Sequence, residues 1–137
     1  MEAKKRFKII IADDDTDDLQ YLKFLFKNHK AFEIIGCLTS GKAVLEAIEQ
    51  SGEAPDVLLV DMYMPVMTGS EVVRNLLQHQ QYENMAFFII SGSINHAEEE
   101  RFKGRVHFLE KPSTLVQIND LPELLLEKMD AGYVNRI

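Results

Sequence analysis

Five short apolar runs punctuate the chain, at Lys8–Ala12, Phe32–Leu38, Val57–Val60, Ala86–Ile90 and Val106–Leu109. They are rich in Ile, Val and Phe and show little polar alternation, so they predict strands of a parallel sheet covered on both faces. Between them the apolar positions return at helical spacing. Thr16–Asn28 carries Leu19, Leu22, Phe24, Leu25 and Phe26; Gly41–Ser51 carries Val44, Leu45 and Ile48; Ser70–His79 carries Val72, Val73, Leu76 and Leu77. Asn95–Lys103 predicts a weaker, more polar helix. A last helix runs from Asp120, with Pro122 in its first turn, to about Asp130, and Thr114–Asn119 reads as loop. Ser40 and Asp15 stand where N-caps belong, and Asp17 and Asp18 suit the positive end of the first helix dipole. Five alternating strand–helix units imply a doubly wound α/β sheet with right-handed crossovers.

Composition narrows the picture. The 137 residues, 46% of them hydrophobic, suit a single domain over 1–137, with a core at about 6–130 and a short tail at 131–137. A net charge of -7 argues against nucleic acid as a partner, since no basic stripe is available to neutralise phosphates. No apolar run approaches the ~20 residues of a membrane span. Ile9–Ile11 is too short for a signal segment and stops at three aspartates. A soluble, cytoplasmic protein with no membrane partner is expected, and the lone Cys37 reads as a structural thiol.

Candidate chemistry lies at the strand ends, where an open parallel sheet forms its cleft. The first strand runs into Asp13-Asp14-Asp15, the third into Asp61, the fourth into Ser91 and the fifth into Lys111-Pro112. Carboxylates are rarely buried without a partner. At about 4 Å and an effective dielectric near 20, each pair of them repels by roughly 4 kcal/mol. Hard oxygen ligands in that number suit Mg²⁺. A lysine neutralises a tetrahedral anion, and a hydroxyl donates to one of its oxygens. The set suits a phosphoryl group held on one carboxylate, with Asp61 the candidate.

The ordered residues Ile10-Ile11-Ala12-Asp13-Asp14-Asp15, Val60-Asp61-Met62-Tyr63-Met64-Pro65-Val66-Met67-Thr68-Gly69, Ile89-Ile90-Ser91-Gly92 and Phe108-Leu109-Glu110-Lys111-Pro112 resemble those of response-regulator receiver domains of bacterial two-component signalling. The resemblance spans nearly the whole chain. It implies a flavodoxin-like five-stranded sheet of order 2-1-3-4-5 with five helices. It implies that Asp61 accepts a phosphoryl group from a histidine kinase or phosphotransfer protein. Mg²⁺ (or Mn²⁺) would be held by Asp14 directly, by Asp13 mainly through water, by Asp61 and by the backbone carbonyl of Tyr63. Ser91 and Lys111 would engage the phosphoryl group, and Phe108 would be the switch aromatic that turns inward as Ser91 moves. The Lys111–Pro112 bond would be cis. The output would be a surface change on the fourth helix, fifth strand and last helix. That surface would serve a downstream protein or a homodimer. Beyond its own phosphorylation and dephosphorylation, no enzymatic turnover is implied.

Three rival readings compete. An aspartate-nucleophile phosphatase of haloacid-dehalogenase type needs Asp-x-Asp-x-Thr after the first strand; Asp13 and Asp15 have the first spacing, but Asp17 stands where threonine belongs. A flavodoxin needs a phosphate-cradling Ser/Thr/Gly loop there, and this loop is mostly acid. A degenerate adaptor would have lost key positions, and all are present. Asp13–Asp18 lacks the glycine and terminal glutamate of a calcium loop. Tyr63, two residues past Asp61, either overhangs the site, where its ring would hinder in-line attack by water on an acyl phosphate, or is a loop aromatic that merely packs on the surface; Ser93 offers no carboxylate or amide to orient that water.

Overall fold

The computed structural model describes residues 6–112 and 119–134, and the side chains of these up to residue 130. Strands β1 (Phe7–Ala12), β2 (Phe32–Leu38), β3 (Val57–Asp61), β4 (Ala86–Ser91) and β5 (Val106–Glu110) alternate with helices α1 (Thr16–Lys27), α2 (Gly41–Ser51), α3 (Gly69–Leu77), α4 (His96–Arg101) and α5 (Leu121–Val134). All strand pairs are parallel, in the order β2-β1-β3-β4-β5. The expected flavodoxin-like sheet is therefore present.

The unbroken apolar runs have the expected cause. Ile10, Ala12, Leu58, Val60, Phe87 and Ile89 face one layer, with Val44 and Ile48 of α2, Val72, Val73 and Leu76 of α3, and Phe102 just past α4. Ile9, Ile11, Val57, Leu59, Phe88 and Ile90 face the other, with Leu19, Leu22 and Phe26 of α1 and Leu121, Leu125 and Met129 of α5. Each inner strand thus splits its side chains between two cores.

Element ends differ from expectation where capping decides them. Thr68 and Glu71 form a reciprocal capping box, so α3 begins at Gly69 rather than Ser70. It ends at Leu77 because the N–H groups of Gln78 and His79 turn to carbonyls three residues back. A 3₁₀ turn at Gln80–Tyr82, unforeseen in the sequence, follows. Asn95 caps α4 instead of joining it, and positive φ at Lys103 and Gly104 ends the segment. Helix α5 runs past Asp130 to Val134, taking in the start of the expected tail. The loop expected at Thr114–Asn119 lies, as far as residue 118, outside the described residues. Each strand's C-terminal edge delivers its last residue to one rim, and there the site forms.

Candidate phosphoacceptor site

Strand order reverses between β1 and β3, which opens a cleft beyond their C-terminal ends. Ala12 is the register partner of Val60, so the residues that follow, Asp13 and Asp61, leave the sheet as neighbours. Asp61 pairs with Ile90, and Ser91 with Glu110, which brings Ser91 and Lys111 to the same rim. The Lys111 N–H donates to the Ser91 carbonyl at 2.6 Å, tying those two positions together.

The rim holds buried charge. Asp13 is 0% exposed and Asp61 7%, while Asp14 is exposed. One oxygen from each of the three lies within 4.8 Å of the others. The Lys111 ammonium meets Asp18 at 2.8 Å, Asp13 at 2.9 Å and Asp61 at 3.4 Å. The other Asp13 oxygen accepts the Asp15 N–H at 3.0 Å. Asp15 is the N-cap of α1, as expected, accepting from the N–H groups of Asp17 and Asp18.

Electrostatics follow from that burial. Desolvation, then the charge of Asp13, pushes Asp61 from its ordinary 3.8 up to about 6, against the pull of Lys111. Burial also raises Asp13, opposed by the Lys111 and Asp15 hydrogen bonds. For Lys111 burial alone would act downward, but hydrogen bonds to Asp18 and Asp13 and the charge of Asp61 carry it above its ordinary value.

The backbone beneath Asp61 is tightly packed. A Cβ at Gly69 would stand 2.5 Å from the Asp61 carbonyl oxygen, so only glycine fits where α3 begins. The Gly69 N–H donates to the Met62 carbonyl at 2.8 Å. Between them the chain turns sharply at Val66, φ 71°, where Met67 N–H donates to the Pro65 carbonyl at 2.8 Å.

Asp13, Asp14, Asp61 and Lys111 therefore converge as expected. Ser91 reaches the rim, but its hydroxyl donates to the Ser93 carbonyl at 2.7 Å and accepts the Ser93 N–H. Phe108 is half-buried, its ring tilted against Phe102 at 5.9 Å. Tyr63 is 61% exposed and lines a groove of about 400 Å³ with Met62, Thr68, Arg74, Asn95 and Glu98. The Lys111–Pro112 bond is trans, contrary to the expected cis form, in keeping with the general preference of X–Pro bonds. Asp18 was missed altogether: it read as a helix-dipole residue, yet its carboxylate sits on Lys111. A signal was available. Asp18, Leu22 and Phe26 fall at i, i+4 and i+8, and the last two are 0% exposed, so Asp18 continues the buried stripe toward the rim.

Comparison with known proteins agrees. Residues 9–122 match the family model described as response regulator receiver domain. The chain is 25% identical over 132 residues to a protein-glutamate methylesterase/protein-glutamine glutaminase of Halalkalibacterium halodurans, covering 92% of this chain but 37% of that protein. It thus spans about a third of the length of such curated relatives. Among solved structures, the response regulator domain of Thermotoga maritima CheB superposes with a TM-score of 0.72 at 25% identity, covering 93% of this chain and 96% of that one. The phosphorylated cyanobacterial phytochrome response regulator RcpA gives 0.74 at 19% identity, covering 85% and 89%, a likeness of fold.

The chain belongs to the response-regulator receiver domain family. Its function class is accordingly a phosphoacceptor signalling switch, and the haloacid-dehalogenase alternative is unsupported. Receiver domains bind Mg²⁺ at an acidic pocket, and this chain has such a cluster of aspartates. They interact with histidine kinases or phosphotransfer proteins. Among the described residues no helix is long and apolar enough to cross a membrane.

Proposed function

We propose that Asp61 is the phosphoacceptor, serving a histidine kinase or phosphotransfer protein, and that the chain does no other chemistry than its own phosphorylation and dephosphorylation. The observation that carries this reading is a carboxylate buried at the tip of β3, 3.4 Å from Lys111 and grouped with Asp13 and Asp14. An Asp61 oxygen attacks phosphorus, the bond from phosphorus to the donor's imidazole nitrogen breaks, and the electron pair stays on that nitrogen. Lys111 then faces the new phosphoryl oxygens and offsets their charge.

The donor set fits a hard divalent cation, because three carboxylates converge and Lys111 alone is a thin counterweight. Asp13, Asp14, Asp61 and the Tyr63 carbonyl would hold Mg²⁺ or Mn²⁺. When bound, the cation would neutralise charge on the transferring group. To engage the phosphoryl group, Ser91 must release its hydroxyl from Ser93, and Phe108 follows inward. The changed surface of α4, β5 and α5 then meets a downstream protein or a second copy of the chain.

The test is incubation with acetyl phosphate and Mg²⁺, followed by intact mass measurement. A gain of one phosphoryl group, absent in Asp61→Ala, is expected. No gain, or one that survives Asp61→Ala, would overturn the reading.

A further inference from the structure

Lys111 is shared unequally. Its contacts with Asp18 at 2.8 Å and Asp13 at 2.9 Å have the length of charge-assisted hydrogen bonds, whereas Asp61 stands off at 3.4 Å. The ammonium is therefore drawn toward α1 and set back from the proposed acceptor. Asp18 is not needed as a cap, since Asp15 already satisfies the N–H groups of Asp17 and Asp18. That bond also fixes the backbone from which the short Asp18 side chain reaches inward. The contact is sheltered, with side-chain exposures of 16% for Lys111 and 29% for Asp18.

We propose that Asp18 is a positioning residue that holds Lys111 back from Asp61 in the resting state and competes with the incoming phosphoryl oxygens for its N–H donors. This rests on the phosphoacceptor reading of Asp61. An ammonium has three donors, and three carboxylates, those of Asp13, Asp18 and Asp61, lie within 3.4 Å of it. A phosphoryl group on Asp61 brings up to about two more negative charges to the rim. Lys111 must turn toward it, and the partner it gives up is Asp18, the one of its three carboxylates that lies outside the converging group of Asp13, Asp14 and Asp61. The strength of that ion pair thereby sets how readily the site accepts a phosphoryl group.

The experiment compares initial rates of phosphorylation by acetyl phosphate at fixed Mg²⁺, read by intact mass. Asp18→Asn keeps the shape and removes the charge; the expected rate is about three- to fivefold above wild type, the range a partly exposed ion pair supports. Asp17→Asn removes the same formal charge from the next residue, which is exposed and outside the Lys111 ion pairs, and is expected to match wild type. In a Lys111→Gln background the further change Asp18→Asn is expected to give no gain, which separates competition for the lysine from a general field effect. Equal rates for Asp18→Asn and Asp17→Asn, or the same gain without Lys111, would overturn the proposal while leaving Asp61 as acceptor. A wild-type chain that takes up no phosphoryl group would overturn both readings, so the two failures are distinct.

Discussion

At the scale of single residues, Asp61 carries the sharpest consequence of burying acid. Its folded value of about 6 exceeds the ordinary 3.8, so between those limits the folded chain holds a proton that the unfolded chain has released. Stability from this group is therefore greatest in acid and falls as pH rises through about 4 to 6, by about 3 kcal/mol in all. Lys111, raised above its ordinary value, contributes stability that is lost only in strong alkali. In metal-free buffer, urea unfolding of wild type and Asp61→Asn is expected to show the variant gaining relative to wild type from about pH 4 to 7. A gap that stays constant would mean that Asp61 titrates as an exposed carboxylate. Tyr63 bears on lifetime instead. Its largely exposed ring lies two residues past Asp61, so Tyr63→Asn is expected to lose its phosphoryl group several-fold faster after the donor is removed. Mass measurement over time reads this, and an equal or slower decay would leave the ring no shielding role. Most of these positions were legible because the strand ends place their residues automatically. Asp18 was not, because a first-turn acid has a sufficient local reason to be there, and its reach to Lys111 depends on how α1 lies on the sheet.

Among the elements, the link from β3 to α3 is the most constrained. Val66 is fully exposed, apolar and β-branched, yet it holds φ 71° in a three-residue turn closed by the 2.8 Å bond from Met67 to Pro65. Val66→Gly relieves that strain at some cost in unfolded-chain entropy, and thermal unfolding is expected to show a net gain of about 1 kcal/mol. Gly69→Ala runs the other way. The added methyl must displace the Asp61 carbonyl, only 2.5 Å distant, so a loss of about 2 kcal/mol or more is expected. That variant also reports on the site, since the displaced carbonyl belongs to the proposed acceptor residue. Element interiors were readable from periodicity; their ends were not, because reciprocal caps and 3₁₀ turns depend on backbone hydrogen bonds that periodicity does not encode. The early start of α3 at its Thr68–Glu71 box and the turn at Gln80–Tyr82 are the clearest cases.

For the whole molecule, two apolar layers hold the sheet, and the charged rim works against them. The alternation of strands and helices made the class of fold legible, because inner strands buried on both faces admit few other arrangements. The order β2-β1-β3-β4-β5 came from resemblance, as apolar pattern alone does not say which strands are neighbours. That order is what brings Asp13 beside Asp61 and turns two separate strand ends into one repulsive cluster. The cost of the cluster should therefore be visible in global stability. Added Mg²⁺, binding the folded chain alone, is expected to raise unfolding free energy by about 2.7 kcal/mol at a hundredfold excess over its dissociation constant. Asp14→Asn removes one carboxylate without touching the Lys111 ion pairs, since Lys111 contacts Asp13, Asp18 and Asp61. The variant is expected to be more stable than wild type without metal and to gain little from Mg²⁺. Urea titrations of both proteins, with and without the metal, give four midpoints that test the idea together. If both proteins gain equally, Asp14 does not share a cation with its neighbours, and the repulsion at the rim has some other resolution.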